Sequence, residues 1–367
     1  MKRDYSDELS PEVRIKMKKN LVYIAIFSIV MIFAGFTSAY IVSMGDTFWV
    51  KYPLPFGFWI STGLIICSSA TYYFAIRNAD RLNNQKATSF MVLTLLLGLG
   101  FAYFQWFGYS QLVKEGAHFR SSIMVVDGRY GDYYEIKYND QFIEVNANDF
   151  LVNGKKLNEN QMKDLQSFVR PFENIANQKE YKIYRLPSAF TLYFQNEPVH
   201  LQGGQLTTES GKSLQYVDLK RLQNFSWNIR DKRGDFFHKG TLGKDFHVYY
   251  KGKELQYKNR ELMYGNKKLA APLQLKANQS RDTSTSYLYI ITILHLLHIL
   301  GALIYLIKMV FKSIQQKSYI TINEEDKKEK TKLEYEKYTL SLRLGSIFWH
   351  FLGILWIYLL IFLMFIH

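Results

Sequence analysis

Residues 286–310 read SYLYIITILHLLHILGALIYLIKMV, and Lys308 is the only Lys, Arg, Asp or Glu in this stretch. About 20 apolar residues are enough for a helix to cross a bilayer. Four other stretches of this kind occur in the 367-residue chain. The sequence therefore predicts a membrane all-α bundle of five transmembrane helices. The predicted spans are 21–43, 56–77, 87–113, 286–310 and 344–366.

Basic residues cluster beside these spans, and the net charge of the chain is +14. Short loops rich in Lys and Arg mark the cytoplasmic side of a membrane. We therefore expect a cytoplasmic N-terminus, with the long insertion and the C-terminus outside, and we expect no nucleic acid partner. The predicted organisation is a cytoplasmic segment 1–20, three spans within 21–113, an extracytoplasmic insertion 114–285, a fourth span 286–310, a charged cytoplasmic loop 311–343 and a fifth span 344–367.

The insertion has the pattern of a β-rich domain. Phe246, Val248 and Tyr250 alternate with other residues, which is typical of half-buried strands. Asn-Gly and Gly-Asn pairs mark turns between such strands. Residues 133–157 align without a gap to residues 245–269, and both stretches end in Lys-Lys-Leu. They predict an internal duplication of a three-stranded meander, with a helix at 158–178 between the copies.

Four polar side chains stand out within the spans: Gln105, His295, His298 and His350. Polar groups are costly in lipid, so they are candidate functional residues. Two interpretations stay open at this point. The histidines form hydrogen bonds between helices, or a stand-alone haem protein uses His295 and His298 with His350 as axial ligands. The spans contain no Asp or Glu, and the chain has no motif for phosphate binding, dinucleotide binding or a serine nucleophile.

The spans resemble cytochrome c oxidase subunit III through short motifs in the order of that family. The first span contains SIVMIFAGFTSAY (28–40), the third GLGFAYFQWFGY (98–109), the fourth YIITILHLLHILG (289–301) and the fifth FWHFLGILW (348–356). The second span adds the hydroxyl pairs at 61–62 and 68–69. The residues that match the family motifs and helix-packing positions are Gln105, Tyr109, Thr292, His295, His298, Gly301, Trp349, His350 and Trp356.

The resemblance implies the five-helix bacterial form of this subunit, located in the inner membrane. It implies no catalytic residue, no metal and no cofactor-binding residue in this chain. Haem and copper are expected in partner subunits, namely subunit I and subunit II of a respiratory terminal oxidase, an oxidoreductase of aerobic electron transport. In that family, subunit III supports proton uptake, binds membrane lipids and stabilises the complex during turnover.

The chain departs from the family at its membrane carboxylates. Ile29 and Gly108 occupy positions where the family has glutamate, and Arg343 replaces the glutamate before the final span. A role that depends on these carboxylates is therefore not carried over. The insertion is not part of the family pattern. Its external position predicts docking, shielding or assembly with partner subunits, including contact with cytochrome c or a haem domain, and a decoration without a partner is the alternative. A related subunit of a quinol oxidase or a nitric oxide reductase is the remaining alternative.

Overall fold

The computed structural model describes residues 11–45, 47–119, 133–146, 149–177, 189–202, 205–232, 242–258, 261–319 and 325–366. These residues form two compact units. The first unit contains the described residues of 11–41, 54–111 and 287–366, and the second contains those of 42–53 and 112–286. Residues 1–10 of the predicted N-terminal segment and the terminal His367 lie outside the described residues.

The described residues form eight α-helices and twelve strands. The helices are α1 (Pro11–Met44), α2 (Phe56–Asp80), α3 (Asn84–Lys114), α4 (Glu159–Val169), α5 (Tyr216–Arg230), α6 (Ala271–Gln279), α7 (Thr283–Tyr319) and α8 (Glu325–Ile366). The strands are β1 (Phe48–Lys51), β2 (Tyr134–Tyr138), β3 (Gln141–Asn146), β4 (Asp149–Val152), β5 (Lys155–Lys156), β6 (Phe190–Phe194), β7 (Glu197–Gln202), β8 (Gln205–Thr208), β9 (His247–Tyr250), β10 (Lys253–Lys258), β11 (Glu261–Tyr264) and β12 (Lys267–Lys268).

Five helices of the described residues, α1, α2, α3, α7 and α8, are long and apolar enough to cross a membrane. They contain the five predicted spans, so the prediction of five long apolar helices is confirmed. The segment 311–343 differs from the expected charged loop, because α7 continues to Tyr319 and α8 begins at Glu325. Residues 325–339 contain no Gly or Pro, and a charged sequence of this kind can continue a helix into water.

The second unit contains two sheets within the described residues. One has the strand order β5-β4-β3-β2-β6-β7-β8, and the other has the order β1-β9-β10-β11-β12. Neighbouring strands in both sheets are antiparallel. The core of this unit includes Tyr134 and Phe190 from the first sheet, Phe168 from α4, and Leu222 and Phe225 from α5. The predicted β-rich character of the insertion is confirmed.

The two meanders that the sequence predicted are joined by a third unit of the same form. Strands β3, β7 and β10 begin at residues 141, 197 and 253, an interval of 56 residues each time. Strands β4, β8 and β11 begin at 149, 205 and 261 and keep the same interval. Helices α4, α5 and α6 follow at 159, 216 and 271. The described part of the insertion therefore contains three copies of a unit of short antiparallel strands followed by a helix, with four strands in each outer copy and three in the middle one.

The copies also share turns and buried positions. The turn after the first strand has two residues of positive φ in each copy: Asn139 and Asp140, Gln195 and Asn196, Lys251 and Gly252. This is the backbone of a type I′ hairpin turn. The second residue of β4, β8 and β11 is buried in every copy. These residues are Phe150, Leu206 and Leu262. The carbonyl oxygen of each of these residues accepts a hydrogen bond from a later backbone N–H. The donors are Leu157, Leu214 and Leu269, respectively.

The middle copy lacks the sequence signals that identify the outer two. Its first turn is Gln195–Asn196, which is not a common hairpin pair. Its second turn is longer, because residues 209–212 replace the Asn-Gly or Gly-Asn pair and Gly211 takes the positive φ. The strands keep their spacing, so the changed turn residues and the longer second turn are what conceal this copy in the sequence.

Strand β1 completes the second sheet from outside the predicted insertion. In the first sheet, β2 of one copy pairs with β6 of the next, with Ile136 opposite Leu192. In the second sheet, β1 pairs with β9 in the corresponding register, with Val50 opposite Val248. The Lys51 ammonium lies 4.8 Å from the Tyr249 ring, and the Lys137 ammonium lies 4.6 Å from the Tyr193 ring. Burial lowers the pKa of Lys51 from its usual value. Residues 42–53 therefore belong to the β-rich unit, not to the helical one.

Candidate functional site: a buried aromatic and polar layer

Most residues that match the family motifs lie in the interior of the helical unit. Gln105, Thr292, His295 and Trp356 are fully buried. Trp349 is also buried, and Tyr109 is 8% exposed. The remaining three are more accessible: His298 and His350 are half-buried, and Gly301 is exposed. The structure therefore brings most of the motif residues of α3, α7 and α8 into the core, with the rest near its edge.

His295 lies within a cluster of aromatic rings. Its imidazole stacks on the Trp356 indole, with centroids 5.4 Å apart and an interplanar angle of 26°. Phe101 and Phe33 contact it edge-on at 6.0 and 6.4 Å. Neither imidazole nitrogen has a hydrogen-bond partner among the described residues. The expectation of an interhelical hydrogen bond therefore does not describe His295, which aromatic stacking holds in place.

The other two histidines have different neighbours. His298 Nδ1 is 2.7 Å from the Leu294 carbonyl oxygen of its own helix, and its ring lies 6.0 Å from Phe33. His350 lies 6.3 Å from the Tyr72 ring of α2. Within the described part of the chain, no group of three His, Cys, Asp or Glu side chains is placed to hold a metal ion.

Helix α2 supplies hydroxyl oxygens that accept hydrogen bonds from the larger motif side chains. Gln105 Nε2 donates to Ser61 Oγ at 2.7 Å. The Trp356 indole donates to Thr62 Oγ1 at 2.9 Å, and the Trp349 indole donates to Ser68 Oγ, also at 2.9 Å. These hydroxyl residues belong to the pairs that contribute to the resemblance, but their hydrogen-bond partners could not be predicted from the sequence. The sequence signal for these acceptors is the occurrence of Ser and Thr within one or two helical turns of each other in an otherwise apolar span.

Close packing at Gly108 leaves no room for the glutamate that the resemblance would place there. A Cβ added at Gly108 would lie 2.6 Å from the Phe58 ring, and one added at Gly57 would lie 2.6 Å from the Phe104 carbonyl oxygen. The backbones of α2 and α3 thus approach each other at this point, and no glutamate fits at Gly108. The second position, Ile29, is a buried apolar residue of α1.

Arg343 lies at the third position where the resemblance would place a glutamate. Its guanidinium Nη2 donates to Asp80 Oδ1 at 2.8 Å and so connects α8 to the end of α2. The two side chains are 59% and 41% exposed, so the pair contributes little to stability in water.

Taken together, the layer can stack rings and form neutral hydrogen bonds. Its members come from α1, α2, α3, α7 and α8, and none of the motif residues in it is an Asp or Glu. Such a layer fixes the mutual positions of helices. No family model, curated protein or solved structure matches this chain.

Proposed function

We propose that this chain is a non-catalytic subunit III of a bacterial haem–copper terminal oxidase. The observation that carries the proposal is the convergence of the motif residues. Gln105, His295 and Trp356 come from three different helices and lie in one buried layer, where two of them bond to hydroxyls of α2. The meeting of these residues from separate helices is what supports the resemblance.

The role that fits this layer is structural. It aligns five apolar helices, which pack beside subunit I and bind membrane lipids around them. Haem, copper and oxygen reduction belong to the partner subunits I and II. The chain has Ile29 and Gly108 where the resemblance would place membrane carboxylates, so any support of proton uptake does not use carboxylates at these positions.

In this proposal the chain spans the inner membrane five times, with a cytoplasmic N-terminus and the β-rich unit outside. An external position would bring that unit close to the electron donor, either cytochrome c or a haem domain. The hairpins β4–β5 and β11–β12 each end in two lysines. One lysine of each is paired with an acidic side chain, Lys156 with Asp149 and Lys268 with Glu261. A docking contact would therefore depend on Lys155 and Lys267, and it would weaken with salt.

Purification of the tagged chain from native membranes in mild detergent tests the proposal. We expect a haem–copper subunit I and a subunit II to co-purify in equal amounts with the chain. Co-purification with a quinol oxidase or a nitric oxide reductase would change the electron donor or acceptor of the complex. The chain would still be a non-catalytic subunit. Isolation without any haem–copper subunit would contradict the proposal.

A second measurement separates the subunit role from a stand-alone haem protein. The chain is expressed without its partners, and its visible absorption spectrum is recorded in the reduced and oxidised states. We expect no haem bands. A stoichiometric haem that disappears in the His295→Leu, His298→Leu or His350→Leu variants would favour the stand-alone interpretation and overturn the proposal.

A further inference from the structure

Helices α3 and α7 meet along a seam of aromatic and polar side chains inside the helical unit. The Tyr109 and Tyr289 rings lie 5.6 Å apart at one contact, and the Phe101 and His295 rings lie 6.0 Å apart at another. From the first contact to the second, residue numbers fall along α3 and rise along α7, so the two helices run antiparallel here. The α3–α7 seam comprises Phe101, Gln105, Tyr109, Tyr289, Thr292 and His295.

Four polar side chains of the seam approach one another between these two contacts. Gln105 is midway between the contact residues of α3, and Thr292 is midway between those of α7, so both lie at about the same level of the bundle. A helical side chain leans towards the N-terminus of its own helix. Because the helices are antiparallel, Tyr109 and His295 lean from opposite directions towards the level of Gln105 and Thr292.

Several polar atoms at this level have no direct hydrogen-bond partner among the described residues. Gln105 donates from Nε2 to Ser61, but its Oε1 accepts no hydrogen bond, and both nitrogens of His295 are without a partner. The hydroxyls of Tyr109 and Thr292 face each other but do not form a direct hydrogen bond. Gln105 and His295 are fully buried. Buried polar side chains nearly always have a hydrogen-bond partner, so these atoms indicate a bound polar molecule.

We propose that the α3–α7 seam binds internal water at this level. The chain itself encloses Gln105 and His295, so a lipid headgroup or a side chain of another protein does not reach their free atoms, whereas a water molecule is small enough. Water there accepts a hydrogen bond from the imidazole N–H and donates to Gln105 Oε1 and to a hydroxyl of the seam. Thr292 Oγ1 donates to the Leu288 carbonyl oxygen at 2.7 Å, which leaves its own oxygen available as an acceptor. These groups supply the two to four polar partners that a buried water requires. The site belongs to this chain alone and does not depend on the oxidase role proposed above.

Hydroxyl-radical footprinting of the full chain with its partners in nanodiscs tests for this water. Brief X-ray irradiation generates radicals from water molecules, including buried ones, and mass spectrometry identifies the side chains that they oxidise. We expect oxidation of Tyr109 and His295 despite their burial. Trp349 is the internal control, because it is also buried and its indole already donates directly to Ser68. If Tyr109 and His295 were oxidised no more than Trp349, the inference would be overturned.

Two variants test which groups hold the water. Gln105→Leu removes the buried acceptor, and Tyr109→Phe removes only a hydroxyl and keeps the packed ring. Thr94→Val is the matched control, because Thr94 is a buried polar residue of α3 whose hydroxyl shares a 2.8 Å hydrogen bond with Thr71.

We expect His295 oxidation to be lost in Gln105→Leu and reduced in Tyr109→Phe, with Thr94→Val unchanged. Oxidation of His295 that persisted at the control level in both seam variants would overturn the assignment of the water to this site. Disturbed folding of Gln105→Leu would be recognised by oxidation of Trp349, and the Tyr109→Phe result would then decide alone.

Discussion

Strand β1 offers a direct test of how the β-rich unit is held together. Phe48 is 1% exposed, and its ring stacks on Tyr250 of β9 at a centroid distance of 4.6 Å. Phe48→Ala removes this buried ring. A change of this kind costs about 3–5 kcal/mol in a protein core. Because 1.4 kcal/mol corresponds to a factor of ten, the second sheet should open about a thousand times more often.

Hydrogen exchange of the full chain, read by mass spectrometry of peptides, measures this opening. We expect exchange in 247–258, which covers β9 and β10, to accelerate by about three orders of magnitude, and exchange in 134–146 of the first sheet to change far less. Lys51→Gln is the control on the same strand, because a half-exposed cation over a ring contributes only about 0.5–1 kcal/mol. Equal acceleration in both sheets, or less than a tenfold change in 247–258, would refute the role assigned to β1.

Three further predictions concern the helical unit and its topology. Reporter fusions after Asn83 and Lys212 should report opposite sides of the membrane, and a common side would contradict the proposed topology. His298→Leu should weaken assembly of the purified complex while the haem content per subunit I stays constant, and loss of a haem would assign a ligand role to His298. Gly108→Ala should lower the free energy of unfolding by about 1–3 kcal/mol because the new Cβ would meet the Phe58 ring. Gly63→Ala, whose Cβ meets nothing within 4 Å, should not, and equal stability losses would disprove the close helix contact.

The candidate site was only partly visible in the sequence. Gln105, His295 and His350 stood out because polar residues are rare in apolar spans. The sequence could not say what each would contact, since that depends on which helix faces which. The ring cluster around His295 and the hydroxyl acceptors of α2 are consequences of helix packing. For the same reason, the close approach at Gly57 and Gly108 that excludes a glutamate appears only in three dimensions.

The sequence by itself determined the five apolar helices and the β-rich character of the insertion. Both depend on local properties, namely the length of apolar runs and the period of side-chain alternation. Two of the three repeated units were also visible, because 133–157 and 245–269 kept the same turns and the same spacing.

Only the tertiary structure revealed the middle copy and the pairing of β1 with β9. In the middle copy, buried positions such as Val199 and Leu206 are preserved while the turn residues have changed. Strand β1 has four residues, too few for a distinctive pattern, and it lies almost 200 residues before its partner β9. A short strand gains its stability from the neighbour it pairs with, and that neighbour is fixed by the fold, not by the local sequence.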